Sequence, residues 1–248
     1  PQKLYGREQE VTQLLATFEK VSQGTTGMFL ISGYSGIGKS ALVNEIHKPI
    51  TRQRGQFISG KFDQLKRDIP YSAISQAFQG LILKLLSEPE IILQIWKRKI
   101  LEALGNNGQI IIDLIPDVEK IIGQQPPVEQ LGRSESQNRF NLFFKRFLSI
   151  FCKQEHPLVI FVDDLQWADL SSLKLIEKLM LDPDNQYFLM IGAYRNNEVG
   201  STHPLMHTLE KINQAKVLVH QITLSPLKIK HINPVSYTHL RAHETKAN

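Results

Sequence analysis

Unbroken apolar runs alternate along this chain with longer stretches in which apolar residues recur at every third or fourth position. Short runs without that spacing are typical of strands that are buried on both faces. The longer stretches are typical of amphipathic helices, whose apolar side packs against a sheet. The predicted strands lie at residues 28–31, 56–60, 158–162, 188–193 and 216–222.

The clearest helical pattern covers residues 134–151. Its apolar side chains follow the i, i+3, i+4, i+7 spacing and form one wide face, which predicts packing in the core. They are Phe140, Phe143, Phe144, Phe147, Leu148 and Phe151. Further helices are predicted at about residues 11–18, 42–46, 72–85, 91–104, 171–180 and 205–212, and irregular structure with short helices at 109–127.

Buried strands that alternate with helices predict an α/β fold, namely a three-layer α/β/α nucleotide-binding domain around a parallel sheet. In such a fold, right-handed crossovers place the C-terminal ends of the strands at one edge of the sheet. Gly33, Asp163 and Arg195 all fall at predicted strand ends. We therefore expect functional residues from three separate strands to meet at this edge.

A phosphate-binding motif lies between the first predicted strand and the helix after it. Residues 33–40 match the pattern G-x-x-x-x-G-K-[ST] at every fixed position. Glycines let several N–H groups point at one anion, and the helix adds its positive N-terminal end. Lys39 is expected to reach the outer phosphates of ATP and Ser40 to bind Mg²⁺. The alternative is a glycine-rich turn without a ligand. The residues predicted to contact nucleotide here are Gly33, Tyr34, Ser35, Gly36, Ile37, Gly38, Lys39, Ser40 and Ala41.

Two acids end the apolar strand at residues 158–162. Asp163 is expected to hold Mg²⁺ opposite Ser40, and Asp164 to orient or activate the attacking water. Phosphoryl transfer needs positioning and charge stabilisation, so Asp164 and Lys39 are the predicted catalytic residues. The alternative is a strand-end turn with solvated carboxylates.

Arg195, at the end of the fourth strand, is a candidate sensor of the γ-phosphate, and the alternative is a solvated arginine. Trp167 and Asp169 are expected to shape the loop after the metal site rather than to touch a ligand.

Composition limits the class of protein. Hydrophobic residues make up 42% and charged residues 21% of the chain, as in soluble globular proteins. The net charge of +5 is modest and spread along the sequence, so it does not argue for binding of nucleic acid.

No apolar run is long enough to span a bilayer and no signal peptide is visible. Cys152 is the single cysteine, which fits a reducing, cytoplasmic location. Because the sequence begins with Pro1, we expect the natural protein to begin earlier.

These motifs resemble the AAA-type ATPase module of large bacterial signalling proteins, related to the origin-recognition-like and STAND ATPases. More closely, they resemble a predicted ATPase domain between an N-terminal serine/threonine kinase domain and C-terminal sensor and histidine-kinase domains. The resemblance covers residues 1–233. It rests on residues 4–8, 33–40, 60–64, 69–74, 162–169 and 191–195.

The resemblance implies an ATP- and Mg²⁺-dependent switch that acts on neighbouring kinase and sensor domains and allows ATP-dependent self-association. It places Gly6 and Arg7 near the adenine and Arg195 at the sensor position. We expect that the lid domain that usually follows the last strand in this family is missing from this sequence. No protein-kinase catalytic loop of H-R-D type is present, so kinase activity is not assigned.

The leading hypothesis is a regulatory module that binds ATP and hydrolyses it slowly, since no arginine that could act from a neighbouring subunit is identifiable. One alternative is a DNA-linked ATPase of the origin-recognition type, which would need a winged-helix domain and a basic stripe, and neither is visible. Another is an interaction module that does not bind nucleotide.

The end of the chain, residues 234–248, is predicted to be a non-native, disordered tail. Residues 235–245 resemble one reading frame of a transposon-derived sequencing adapter. The alternative is a metal site formed by His239 and His243, because a spacing of four places both side chains on one face of a helix. No apolar pattern fixes these residues, so a mobile terminus is expected.

Overall fold

A computed structural model of the chain describes residues 6–215 and 217–226. At its centre five parallel strands form one sheet in the order β2-β3-β4-β1-β5. The strands are β1 (Thr26–Ser32), β2 (Gln56–Lys61), β3 (Leu158–Asp163), β4 (Phe188–Tyr194) and β5 (Leu218–Thr223).

Helices cover both faces of the sheet, which confirms the predicted three-layer α/β/α fold. One face packs against α1 (Glu8–Ser22) and α2 (Lys39–Arg52). The core on the other face is built from α3 (Ser72–Leu86), α4 (Glu90–Leu104), α5 (Gly108–Leu114), α6 (Glu119–Ile122), α7 (Arg133–Phe151), α8 (Leu170–Leu181) and α9 (Pro204–Gln214).

The unbroken apolar runs are explained by burial of both sheet faces. Successive side chains of a strand point to opposite faces. In β1, Met28 and Leu30 therefore join the larger core, on the face that α8 covers, whereas Phe29 and Ile31 join the core under α1 and α2. All four are at most 1% exposed.

The predicted apolar face of α7 packs in the larger core, as expected. Phe144, Phe147 and Phe151 surround Phe78 of α3, with ring centroids 5.4, 5.4 and 6.0 Å from it. Trp96 of α4 stacks on Phe151 at 5.1 Å. These rings join α3, α4 and α7 into one layer over the sheet.

The first turn of α3 lies directly against the end of β2. A Cβ built on Gly60 would lie 1.8 Å from the carbonyl oxygen of Ala73, a distance that no side chain tolerates. Glycine is therefore required at this position for α3 to approach the edge of the sheet where the strands end.

Observed and predicted elements differ mainly at their ends. The strands predicted at residues 56–60, 158–162 and 188–193 each end one residue later. β5 begins at Leu218 rather than at residue 216, which is outside the described residues. The stretch predicted as irregular contains α5 and α6. The prediction of a non-native tail at 234–248 also falls outside the described residues.

Candidate active site

The phosphate loop, residues 33–40, leads from β1 into α2. Gly36 and Gly38 have φ values of 74° and 100°, a left-handed conformation that glycine adopts without strain. A Cβ built on either residue meets no atom within 4 Å. The backbone turn, rather than crowding, therefore requires glycine at these positions, and the loop borders open space.

Free amide groups surround this space. In the described part of the chain, no backbone carbonyl accepts a hydrogen bond from the N–H groups of Gly36, Gly38, Lys39 or Ser40. The last two belong to the first turn of α2, where unpaired N–H groups carry the positive end of the helix dipole. Free donors around an open space fit the binding of a phosphate group.

The side chain of Lys39 folds back into the loop. Its Nζ donates to the carbonyl oxygens of Gly33 at 2.8 Å and Tyr34 at 2.9 Å, and the residue is 7% exposed. Burial lowers the pKa of Lys39, while the carboxylates of Asp163 and Asp164 oppose that change. A buried cation held at the mouth of the loop is suited to pair with a phosphate oxygen.

Ser40 and Asp163 lie opposite each other, as the sequence predicts for magnesium ligands. The Ser40 hydroxyl donates to Asp163 Oδ2 at 2.8 Å, and the amide of Asp164 donates to Asp163 Oδ1 at 2.9 Å. Protein sites for Mg²⁺ often use one or two such oxygens, with phosphates and water completing the octahedron. This oxygen pair therefore fits the ion that the sequence predicts. Among the described residues, no group of three or more His, Cys, Asp or Glu side chains could hold a metal.

Asp164 is 4% exposed and adopts a left-handed backbone conformation, with φ of 53°. Three side chains from different segments contact its carboxylate. Lys61 Nζ lies at 3.1 Å, Arg195 Nε at 3.5 Å, and Gln166 Nε2 donates at 2.9 Å. Two cations and an amide therefore hold this buried carboxylate beside the Ser40–Asp163 pair.

Arg195 connects Asp164 to the loop after β4. Its guanidinium lies 4.8 Å from the ring centroid of Trp167 and donates to Glu198 at 2.7 Å. The hydrogen bond to Glu198 raises the pKa of Arg195. Glu198 also accepts from the indole N–H of Trp167 at 3.2 Å, so one carboxylate fixes both partners of the stack. The guanidinium is thereby held at the strand ends, next to Asp164.

Gly6 and Arg7 lie near the start of the phosphate loop. Arg7 is 5% exposed and donates to the carbonyl of Ser225 at 2.6 Å. The amide of the neighbouring Leu224 donates to the carbonyl oxygen of Ser32 at 2.8 Å, and Ser32 is the residue directly before the loop. The structure thus brings the loop, the two aspartates and Arg195 together, and it places Arg7 against the chain after β5.

Sequence reasoning missed three members of the cluster around Asp164. Lys61 is the last residue of β2 and lies beside Asp163 in the sheet register, so its position at a strand end was a signal. Gln166 is 4% exposed and links Asp164 to the Arg195 amide, to which its Oε1 lies at 3.1 Å. Nothing in the sequence pattern distinguished Gln166 or Glu198 from ordinary loop residues.

The fold and this loop define a P-loop ATPase domain. The sequence model of the family described as AAA ATPase domain matches residues 3–191, and the chain belongs to this family. In the part of the chain that the structure describes, no helix is both long and apolar enough to cross a membrane.

Two histidine kinases are similar to this chain. One is hybrid signal transduction histidine kinase G of Dictyostelium discoideum, 42% identical over 178 residues, or 72% of this chain. The other is the peroxide stress-activated histidine kinase mak3 of Schizosaccharomyces pombe, 22% identical over 279 residues and 94% of this chain. The chain spans 5% and 11% of the lengths of these relatives.

A solved structure shares the fold. It is the crystal structure of Cdc6p from Pyrobaculum aerophilum, with a TM-score of 0.53 and 13% sequence identity. The comparison covers 98% of this chain and 51% of that one.

Proposed function

We propose that this chain is the ATP-binding switch module of a signal-transduction protein and that it hydrolyses ATP slowly. The observation that carries the proposal is the convergence of the phosphate loop, the Ser40–Asp163 pair and Asp164 at one edge of the sheet. In this proposal the free amides of the loop and Lys39 hold the phosphates of ATP.

Ser40 and Asp163 would hold Mg²⁺, which supplies positive charge next to the transferred phosphoryl group. Asp164 orients the attacking water and accepts its proton. Its three side-chain partners fix the carboxylate in one position, and Arg195 is placed to sense the γ-phosphate. An incoming phosphate would compete with Asp164 for Arg195, which couples the nucleotide to Trp167 in the turn after β3 and to Glu198 in the turn after β4.

The signalling role is supported by the similarity to the two histidine kinases, in which the matching region is a small part of a long chain. We infer that kinase and sensor domains of the full-length protein are the partners and that nucleotide state controls their arrangement. ATP-dependent self-association, a relation to STAND ATPases, a bacterial source and a cytoplasmic location remain predictions, and so does the absence of nucleic-acid binding.

Thermal unfolding with and without MgATP tests nucleotide binding. At a ligand concentration about 100 times Kd, binding stabilises a fold by about 2.7 kcal/mol, which for this chain length is a rise in Tm of roughly 5 to 11 °C. Lys39→Ala should remove most of that rise, and EDTA should reduce it in the unmutated chain.

Lys48→Ala is the matched control, because Lys48 is an exposed lysine in the same helix. A rise in Tm that is equal in Lys39→Ala and Lys48→Ala would refute the assignment. The absence of any rise in the unmutated chain would favour an interaction module that does not bind nucleotide.

A further inference from the structure

At one edge of the sheet, backbone groups have no partner among the residues that the structure describes. Gln56 donates its N–H to Pro157 at 2.8 Å and Phe62 to Asp163 at 3.1 Å, so the even-numbered residues of β2 face β3. Phe57 and Ser59 therefore direct their N–H and C=O groups to the free edge. No described residue forms a hydrogen bond with these groups.

Lys61, the next odd-numbered residue of β2, shows how an outward N–H group of this edge finds a partner elsewhere. Lys61 also directs its N–H away from β3, and there the side chain of Gln76 in α3 accepts it at 2.8 Å. Towards the start of β2, no side chain in the described part of the chain accepts or donates such a hydrogen bond. A groove of about 460 Å³ opens instead between the strand and helices α3 and α4.

The wall of this groove is apolar. It is formed by Ala77, Leu81 and Leu85 of α3 and by Ile92 and Trp96 of α4. A row of free backbone groups beside an apolar wall is the arrangement by which a sheet edge accepts an added strand.

Some polar groups at the groove also have no hydrogen-bond or ion-pair partner within residues 6–215 and 217–226. The side-chain Oε1 of Gln56 is buried without a hydrogen bond. Lys84 lines the groove, and Lys99 Nζ lies 4.7 Å from the ring centroid of Trp96. In the described ranges neither lysine has a carboxylate within 4.0 Å, and Glu88 is the acid in the lining. The groove therefore favours a partner that brings a hydrogen-bond donor for Gln56 and a carboxylate for the two lysines.

We propose that the free edge of β2 binds an extended segment of a partner protein, with apolar side chains at alternate positions and an acidic residue beside them. The segment adds a strand next to Phe57 and Ser59. Its apolar side chains enter the groove on the side of Ile58, and its carboxylate lies near Lys84 and Lys99. This site is separate from the nucleotide site, so the proposal does not depend on ATP binding.

A synthetic peptide of alternating valine and threonine with glutamate at both ends is the probe. Trp167→Phe leaves Trp96 as the reporter, because the chain has two tryptophans. We expect a saturable change in Trp96 fluorescence and slower hydrogen exchange of the Phe57 and Ser59 amides. The same peptide with lysine ends should bind more weakly, and the difference should shrink as salt is added.

Ser59→Pro removes one outward N–H and leaves the ladder to β3 intact, and Ser59→Ala is its control. Loss of one hydrogen bond should weaken binding by about two- to tenfold in the proline variant alone.

Lys84→Glu provides a second variant, in which the preference for the peptide with glutamate ends should be reduced. No saturable binding, or equal affinity for the proline and alanine variants, would overturn the proposal. So would a dimer in sedimentation that Ser59→Pro abolishes, because the occupant would then be a second copy.

Discussion

The phosphate loop and the cluster around Asp164 occupy the same edge of the sheet, but they are assembled in different ways. In the loop, Lys39 is bonded to Gly33 and Tyr34, six and five residues earlier in the chain. In the cluster, Asp164 is held by Lys61, the last residue of β2, and by Arg195, the residue directly after β4. One part is local in sequence, and the other exists only when the sheet has formed.

This difference separates binding from hydrolysis. The free amides and Lys39 belong to the segment between β1 and α2, so the phosphate contacts of the loop do not use the side chains that hold Asp164. Asp164 is positioned only while β2, β3 and β4 keep their register. We therefore expect nucleotide binding to survive changes in the cluster and turnover to be lost.

The largest expected effect is that of Asp164→Asn on turnover. The asparagine retains the size and the hydrogen bond to Gln166 but cannot accept a proton from water. A positioned base contributes about 10²- to 10⁴-fold, so phosphate release in a single turnover should slow by about that factor. The rise in Tm with MgATP should stay, because the loop and Lys39 are unchanged.

Asp68→Asn is a suitable control, since Asp68 is an exposed aspartate on the loop before α3. It should leave both turnover and binding as they are. Full activity in Asp164→Asn would contradict the assignment of Asp164, and loss of binding in that variant would contradict the separation of the two regions.

The two regions also differ in how far the sequence predicts them. The loop was found from consecutive residues, because its chemistry depends on glycine conformations and helix geometry within a few positions. Asp163 and Asp164 were found because apolar strands end there. Lys61 and Gln166 were not, because their role depends on strand order and on a turn after β3, and neither follows from local spacing.

The free edge of β2 was beyond sequence reasoning for the same reason. Residues 56–60 predict a strand, but nothing in them shows that it lies at the end of the sheet order. The fold class needs only the alternation of strands and helices, whereas edges and cross-strand partners need the topology.

A smaller effect, on the free energy of unfolding, is expected when the side-chain charges of Lys61 and Arg195 are removed together. Either Lys61→Met or Arg195→Met leaves the other cation to pair with the buried carboxylate. The double variant leaves only Gln166, so its loss of unfolding free energy should exceed the sum of the two single losses. Coupling between residues that share a partner is about 0.5 to 3 kcal/mol. Because the Lys61 side chain is 59% exposed, a coupling at the lower end is expected.

Urea unfolding of the four proteins measures this coupling. The control pair is Lys61→Met with Lys211→Met, because Lys211 pairs with Glu177 and shares no partner with Lys61. That pair should be additive within about 0.5 kcal/mol. Additivity in the Asp164 pair would mean that the cations act independently and that the cluster is not one unit.

The smallest expected effect is a pH dependence of stability that originates in the loop itself. Burial lowers the pKa of Lys39 in the folded state, whereas the unfolded side chain keeps its ordinary value of about 10.5. Between the two values the unfolded chain binds more protons, so stability rises with pH across that window. Below the folded pKa the full cost of burying the charge is present. Lys39→Met removes this cost, so its advantage in stability over the unmutated chain should be largest near neutral pH and should shrink as pH approaches 10.5.

Urea unfolding of both proteins at several alkaline pH values measures the trend, with Lys48→Met as the control for an exposed lysine. An advantage of Lys39→Met that is constant or grows with pH would show that the lysine is not held as a costly buried cation and would remove the electrostatic reason for a phosphate at this loop.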